Sequence, residues 1–263
     1  MKVGIRLPQT GKQAKLENII YLAEAAEDNS FDSLWVLERL LWPTSPLTKY
    51  PYTPTGEFPQ DWQNVLEPLE LLSFVAANTT KIFLGTSVID MLFHNPIVLA
   101  KRFATLDILS NGRTLAGLGI GWSEDEFLAS NIPLVERGRR ADEFLELLKS
   151  IWTDDIIDFK GRFYNVPSCK IGPKPKQRPI IPLFLGGSNP NTFSRMAKYA
   201  NGWIGVVRNN LDQLQRMSDI LKIKVIEAKR NPDDFELIVI VYPDLKKLTI
   251  DKGSRLAFTG AVE

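Results

Sequence analysis

The chain has 263 residues, of which 44% are hydrophobic and 24% charged, an ordinary composition for a folded globular protein. A net charge of +1 provides no global field for nucleic acid or an anionic membrane, so neither is expected as a partner. One cysteine, Cys169, and one histidine, His94, exclude an internal disulfide and a typical zinc site, and no metal is expected. Without an apolar N-terminal signal segment or an apolar run near ~20 residues, a cytoplasmic location is expected.

Strand-like and helix-like segments alternate along the chain from its first residues. The strand-like runs are continuously apolar rather than alternating, which is typical of parallel strands covered on both faces. Repeated strand–helix units with no linker that would separate two domains favour one barrel over an open sheet. A (β/α)8 barrel needs ~250 residues. The predicted strands are residues 2–7, 33–37, 82–89, 114–121, 180–186, 203–207 and 235–241.

The segments between the strands carry helix and loop signals. Asn95-Pro96 places a capping side chain and a proline at a helix start, and Asn111-Gly112 marks the end of that helix. Residues 41–63 hold five prolines, too many for a helix or a central strand. This long, aromatic-rich segment predicts a functional loop that borders the pocket, covers the substrate and is partly mobile without cofactor. Further helices are predicted at residues 16–28, 67–78 and 138–152.

Small residues mark the ends of the third and fourth predicted strands. Gly117, Gly119 and Gly121 stand where a buried strand would ordinarily carry larger side chains. Glycines there let a flat ligand approach the backbone, although they could equally relieve crowding inside a small barrel. The spacing is GxGxG rather than GxGxxG, and no acidic residue ends the next strand, so a Rossmann site is not expected.

A glycine-rich strand end also precedes a later helix. Gly186 and Gly187 end the fifth predicted strand, Ser188 follows, and Asn189-Pro190 opens the helix. Free N–H groups at this place, together with the helix dipole, favour an anion such as a phosphate. The alternative is a tight turn with an ordinary cap. Since proline has no N–H, the predicted donors are Gly187, Ser188 and residues after Pro190.

Titratable side chains follow two of the predicted strands. Glu38 and Arg39 come directly after the second strand, where barrel enzymes place their chemistry. His94 lies between the third strand and the next helix, and its titration range suits proton transfer. A solvated ion pair is the alternative for Glu38 and Arg39, and a structural hydrogen bond is the alternative for His94.

Together these regions resemble the luciferase-like monooxygenase superfamily and, within it, the deazaflavin-dependent oxidoreductase branch. The matching stretches include FDSLWVLERL, NPIVLAKRFATLDILSNGR, GLGIGWSEDEF and RGRRADEFLELLKSIW, and their order and spacing agree from Met1 to about Trp203. The joint pattern is specific, whereas no single stretch is. The resemblance implies one domain over residues 1–263, a TIM-type (β/α)8 barrel of the bacterial-luciferase type.

The resemblance also implies where a cofactor lies. Such proteins often carry a bulge or a non-prolyl cis peptide at the end of the third strand, under the ring. Many relatives have an acidic residue followed by histidine after the second strand; here the second residue is Arg39, which could hold an anionic ring or tail. Glu38, His94 or Trp122 could act as proton donor or ring-stacking wall. The implied cofactor contacts are Thr86, Ser87, Val88, Gly119, Gly121 and Trp122 for the ring and Gly186, Gly187 and Ser188 for the phosphate.

The resulting interpretation is a two-electron oxidoreductase in which reduced coenzyme F420, an 8-hydroxy-5-deazaflavin, delivers hydride to a small organic substrate. The alternatives are an FMN-dependent monooxygenase and a non-catalytic flavin-binding protein. The resemblance further implies a homodimer. Relatives continue past the equivalent of Phe258-Thr259-Gly260 into an eighth strand, which this chain is expected to lack. The barrel is then open between the first and seventh strands unless residues 244–263 or a second subunit fill the gap.

Overall fold

The computed structural model describes residues 2–207, 211–241 and 255–258, and within them strands and helices alternate as the sequence predicts. The strands are β1 (Lys2–Arg6), β2 (Ser33–Val36), β3 (Phe83–Thr86), β4 (Ile89–Asp90), β5 (Thr114–Gly119), β6 (Ile157–Lys160), β7 (Asn165–Cys169), β8 (Leu183–Gly186), β9 (Gly202–Val207), β10 (Glu236–Val241) and β11 (Arg255–Phe258). The α-helices are α1 (Leu16–Asp28), α2 (Pro68–Ala77), α3 (Pro96–Leu109), α4 (Glu124–Ala129), α5 (Arg137–Thr153), α6 (Pro190–Tyr199) and α7 (Leu211–Glu227).

Eight of the strands in the described ranges are parallel and form a closed ring in the order β1-β2-β3-β5-β8-β9-β10-β11. The ring closes at β11, where Arg255 pairs with Lys2 of β1 on one side and with Ile238 of β10 on the other. Each strand lies beside the next ring strand along the chain, and helices connect most of them. The TIM-type barrel predicted from the sequence is therefore confirmed.

The eighth strand corrects one expectation. Residues 255–258 occupy the gap that was predicted between the first and seventh strands, so part of segment 244–263 fills it, which was one of the two occupants considered. The strand escaped sequence reasoning because it is short, RLAF, and follows a charged stretch, DLKKLTIDKGS. Four residues with three apolar side chains do not stand out as a strand by periodicity.

The predicted strands and helices are present, with ends shifted by a few residues, but helix α4 and strands β6 and β7 were not predicted. Strands β6 and β7 form an antiparallel hairpin in a region that the sequence indicated as irregular. The hairpin buries only Ile157 and Val166 well, and most of its other positions are exposed. Two buried positions give too weak a pattern to predict strands. Among the described residues, no helix is both long and apolar enough to cross a membrane.

The interior of the barrel is filled by a small set of large side chains and by glycines that make room for them. Trp35 of β2 is fully buried, and its indole Nε1 donates to Ser33 Oγ at 2.8 Å. A Cβ on Gly4 or Gly85 would lie within 2.4 Å of this indole, so both neighbouring strands need glycine there. The other members of this inner cluster are Leu115, Phe184, Ile204, Ile238 and Ile240.

Candidate active site

The third barrel strand is interrupted at the mouth, the end of the barrel where the carboxyl ends of the strands lie. Between β3 and β4 the Ser87–Val88 peptide bond is cis, and the Ser87 N–H donates to Val36 O at 2.6 Å. The interruption and the non-prolyl cis peptide implied by the resemblance are therefore present. Thr86 is buried, and its hydroxyl bonds both the N–H and the carbonyl of Gly117. Of the three predicted contacts here, Ser87 and Val88 are partly exposed.

Two glycines let Val88 lie low across the mouth. A Cβ on Gly119, at the end of β5, would come within 2.7 Å of Val88 Cγ2. A Cβ on Gly186, at the end of β8, would come within 3.2 Å of Val88 Cγ1. Val88 also packs on the inner cluster of the barrel. Val88, Gly119 and Gly186 thus form an apolar floor at the centre of the mouth, and no side chain from either glycine rises from it.

Three polar side chains meet beside this floor. Glu38 Oε1 lies 2.7 Å from His94 Nε2, and Glu38 Oε2 accepts the backbone N–H of Asp90 at 2.9 Å. Asp90 Oδ1 accepts the Gly121 N–H at 3.0 Å. The Glu38 side chain is 3% exposed and that of His94 is 15% exposed, so the sequence alternative of a solvated pair does not apply to Glu38. The group joins residues that follow β2, β4 and β5.

Burial controls the acidity of Asp90. Desolvation raises its pKa to about 6, and the neighbouring negative charge of Glu38 acts in the same direction. The positive charge of Arg39, the Gly121 N–H and His94 oppose this rise. A carboxyl group with such a pKa changes its protonation state close to physiological pH.

Arg39 turns away from Glu38 and pairs with an acidic side chain on α4. Its Nη2 donates to Glu126 Oε2, and Glu126 Oε1 accepts the Leu40 N–H at 2.9 Å. Both side chains of this pair are at most 5% exposed. The guanidinium lies 5.0 Å from the ring centre of Trp122 and 5.6 Å from that of Trp62. Burial lowers the pKa of Arg39, but an arginine stays charged, so the pair is ionic.

The covering segment, residues 41–63, lies over this side of the mouth as predicted. Tyr50 and Phe58 are buried, and their ring centres lie 5.7 and 5.6 Å from that of Trp122. The segment is fastened to the start of α4, since the Leu47 N–H donates to Asp125 Oδ2 at 3.1 Å. These contacts confirm that the segment borders the mouth; its mobility without cofactor stays a prediction.

The next part of the mouth, beyond β5 in the ring, is formed by the glycine turn, residues 186–188, which follows β8. Gly187 has a φ of +117°, a conformation that favours glycine, and the turn is exposed. Among the described residues, neither the Gly187 N–H nor the Ser188 N–H has an acceptor. The Asn191 N–H instead donates to the cap oxygen of Asn189 at 2.9 Å. The first predicted donor after Pro190, the Asn191 N–H, is therefore already used by the helix cap. The N–H groups of Gly187 and Ser188 remain available to a ligand.

The structure brings the predicted site residues together around one floor. Glu38, His94, Arg39 and Trp122 lie on one side, and the glycine turn lies on the other. Sequence reasoning missed Asp90 and Glu126. Asp90 had one signal, a charge directly after the apolar residues Val88 and Ile89, whereas Glu126 belongs to an acidic stretch, EDE, typical of a solvated helix start. Within the described ranges, no group of three metal-ligating side chains is found.

Comparison with known proteins places this geometry in context. A model of the luciferase-like monooxygenase family matches residues 1–243. An uncharacterized protein of Mycobacterium tuberculosis is 32% identical over 251 residues, which cover 93% of this chain and 82% of that protein. An F420-dependent glucose-6-phosphate dehydrogenase of Amycolatopsis mediterranei is 29% identical over 208 residues, covering 78% of this chain and 57% of that enzyme.

Solved structures show the same fold, and one of them serves as the example. The monooxygenase RslO1 from Streptomyces bottropensis aligns with a TM-score of 0.75 at 24% identity, over 90% of this chain and 70% of that one. At this level of identity the likeness concerns the fold alone. It agrees with the closed parallel barrel described above.

Proposed function

The chain belongs to the luciferase-like monooxygenase family, and on that premise we propose that it is an oxidoreductase that binds coenzyme F420 at the mouth of its barrel and acts on a small organic substrate. The observation that carries the proposal is the pairing of an apolar floor with a glycine turn. Val88, Gly119 and Gly186 offer a flat surface, and the turn that continues from Gly186 offers unpaired N–H groups. A ligand with a planar ring and a phosphate requires both features, a flat apolar surface for the ring and N–H donors for the phosphate.

The residues present fit such a cofactor. The ring would rest on Val88, because glycine at 119 and 186 keeps the strand ends free of side chains at that height. The phosphate would accept hydrogen bonds from the N–H groups of Gly187 and Ser188 and from the Ser188 hydroxyl. The first turn of α6 adds the favourable end of its dipole. When bound, a reduced deazaflavin supplies the hydride, and the protein supplies orientation and electrostatics.

The polar side chains beside the floor are placed to handle a proton. Glu38 and His94 share a hydrogen bond of 2.7 Å and are both largely buried, so their geometry is held without water. The Glu38–His94 pair is the proposed proton-handling group of the reaction. Trp122, fixed between Arg39 and Phe58, would form a wall of the substrate space.

The covering segment would exclude water from the substrate. Its buried aromatic residues contact Trp122 at the mouth, and hydrogen bonds to α4 hold it there. A dry site strengthens each electrostatic interaction inside it. The cover therefore supports a reaction in which a hydride must be protected from water.

Two other functions remain as candidates. The family description itself names a monooxygenase, which favours FMN as the cofactor and oxygen as the oxidant. The similarity to an F420-dependent glucose-6-phosphate dehydrogenase favours the deazaflavin instead. A non-catalytic flavin-binding protein is the third candidate, since it needs the floor and the turn alone.

Binding and turnover with the two cofactors separate these candidates. Purified protein is titrated with F420 and with FMN, and the absorbance and fluorescence of each cofactor report binding. Turnover of a panel of small carbonyl and unsaturated substrates is then measured under three conditions. These are reduced F420, reduced FMN with oxygen, and no added cofactor. We expect binding and oxidation of reduced F420. Turnover with FMN alone supports the monooxygenase, binding without turnover supports the binding protein, and a folded protein that binds neither cofactor contradicts all three.

A further inference from the structure

The carboxyl group of Asp90 has no part in the function proposed above, although it lies at the edge of the floor. Its Oδ1 lies 2.4 Å from the place of a Cβ on Gly119 and accepts the Gly121 N–H. Within the part of the chain that the structure describes, this is the one hydrogen bond made by its side chain. Asp90 as a whole is 7% exposed, and its Oδ2 has no hydrogen-bond partner among the described residues. A hydrogen-bonding atom is thus available beside the ring position.

The charged groups around Asp90 do not neutralise it by contact. Arg39 is the nearby cation, but its guanidinium bonds Glu126 on α4. Glu38 adds a negative charge, and its carboxylate accepts the backbone N–H of Asp90 itself. His94, which precedes α3, bonds Glu38 rather than Asp90.

A second carboxylate lies near Glu38. Glu67, at the start of α2, has its pKa raised by burial and by the charge of Glu38. Asp90 itself is a buried acid that has Glu38 as its carboxylate neighbour and makes no ion-pair contact among the described residues. Such surroundings favour the neutral, protonated form over the charged one, and a ligand that covers the mouth removes further water from it.

We propose that Asp90 is a cofactor-contact residue that takes up one proton when the ring binds and then donates a hydrogen bond from its protonated carboxyl group to an acceptor atom at the edge of the ring. This inference rests on the proposed function, because the ring position on the floor comes from it. The proton comes from solvent, the acceptor is a carbonyl oxygen or a ring nitrogen of the flavin or deazaflavin class, and no covalent bond forms.

The inference has a signature that does not depend on catalysis. In the protein without cofactor, Asp90 should be mostly ionised at pH 7 to 8 and mostly protonated at pH 5, since burial raises its pKa to about 6. Cofactor binding then takes up close to one proton at pH 7 to 8 and almost none at pH 5. Affinity falls as pH rises above 6, by up to about tenfold per pH unit.

Titration calorimetry in buffers of different ionisation enthalpy measures this proton uptake directly. The probes are F420 and FMN, each at pH 5, 7 and 8, with the wild type, Asp90→Asn and His94→Gln. Asparagine donates a hydrogen bond at every pH, so Asp90→Asn should bind without proton uptake and with little pH dependence. His94→Gln should retain the uptake, because His94 is not the group that gains the proton. Protonation of the cofactor itself is common to all three proteins and cancels in the comparison.

The outcomes separate the two proposals. If the cofactor binds but proton uptake at pH 7 is the same in the wild type and Asp90→Asn, the role of Asp90 is wrong and the proposed function stands. If neither cofactor binds the folded wild type at any pH, the proposed function is wrong and the role of Asp90 with it. If Asp90→Asn does not fold by circular dichroism, the wild type alone decides, since an uptake near zero at pH 7 contradicts the inference.

Discussion

The two sides of the barrel mouth are built in opposite ways. The side that follows β2, β4 and β5 is filled by buried charged side chains, which bond to one another before any ligand arrives. The side that follows β8 offers backbone alone, in an exposed turn whose N–H groups at Gly187 and Ser188 lack acceptors in the described ranges. The first side is preorganised for chemistry, whereas the second is preorganised for an anion. Substitutions on the two sides should therefore affect different properties.

The largest expected effect is on the backbone side. Gly187→Asp places a side chain where φ is +117°, within 3.1 Å of Thr192 Cγ2, and adds a negative charge beside the phosphate. Hydrogen bonds to a charged group contribute roughly 1.5–3 kcal/mol each, so the loss of two should weaken cofactor binding by at least about 100-fold. Fluorescence titration measures the affinity.

The matched control for this variant is Lys198→Ala. Lys198 lies on α6, the helix that follows the glycine turn, but it bonds Glu146 at the surface, with a side chain that is 63% exposed. Its replacement should leave the affinity unchanged. A folded Gly187→Asp protein with wild-type affinity would remove the phosphate from the glycine turn and end the contrast between the two sides.

On the side-chain side, the largest effect should be on stability. Arg39→Met leaves the buried Glu126 without its ion-pair partner, and breaking a buried pair in this way costs about 3–5 kcal/mol. The double variant Arg39→Met with Glu126→Gln removes the stranded charge and should recover part of that loss. Urea unfolding gives the free energies. The control is Arg102→Met, which breaks an exposed pair with Glu70 and should cost about 0–1 kcal/mol. Equal losses for the two arginines would show that the Arg39 pair is not held in a dry interior.

Asp90 should make the free energy of unfolding depend on pH in a characteristic way. Its pKa is raised from 3.8 to about 6 in the folded state, so the folded protein binds more protons than the unfolded chain between these values. The contribution of Asp90 to stability therefore falls as pH rises from about 4 to about 6, by of order 2–3 kcal/mol. Asp90→Asn removes this contribution.

The difference in unfolding free energy between the wild type and Asp90→Asn isolates this residue, since other carboxyl groups cancel. Urea unfolding at pH 4, 5, 6 and 7 should show the variant gaining stability relative to the wild type as pH increases. A difference that stays constant across this range contradicts a raised pKa at Asp90.

The smallest expected effect concerns the cover over the charged side. Asp125→Ala removes the acceptor for the Leu47 N–H and should lower the local stability of the covering segment by about 1 kcal/mol. Hydrogen exchange at residues 47 and 48 should speed up severalfold, while global unfolding changes little. Asp158→Ala, at an exposed hairpin position, is the control. Unchanged exchange in Asp125→Ala means that the cover is held by its aromatic contacts instead.

The sequence predicted these regions to different extents, for physical reasons. The barrel was predictable because continuous apolar runs and helix caps such as Asn95 act locally along the chain. The glycine turn was predictable for the same reason, since two glycines and a cap are adjacent in sequence. The pairing of Arg39 with Glu126 was not predictable, because 87 residues separate the two and both side chains are of types usually found in solvent.

Asp90 shows the same limit of sequence-based prediction within the candidate site. Its position at the end of an apolar run was visible, but its acidity depends on burial and on Glu38, which is 52 residues away. The eighth strand, by contrast, was missed because its four residues are too few to give a periodic pattern. Local patterns thus predict elements and turns, whereas the charged side of the mouth depends on tertiary packing.

The central claim is that one cofactor spans both sides of the mouth, and hydrogen–deuterium exchange with and without F420 tests it most directly. Residues 86–90 and 119–122 on the charged side and residues 186–189 in the glycine turn should all gain protection on binding. The exposed helix face around Lys198 should not change. Protection confined to another part of the chain, or absent from the glycine turn while F420 is bound, would contradict the account.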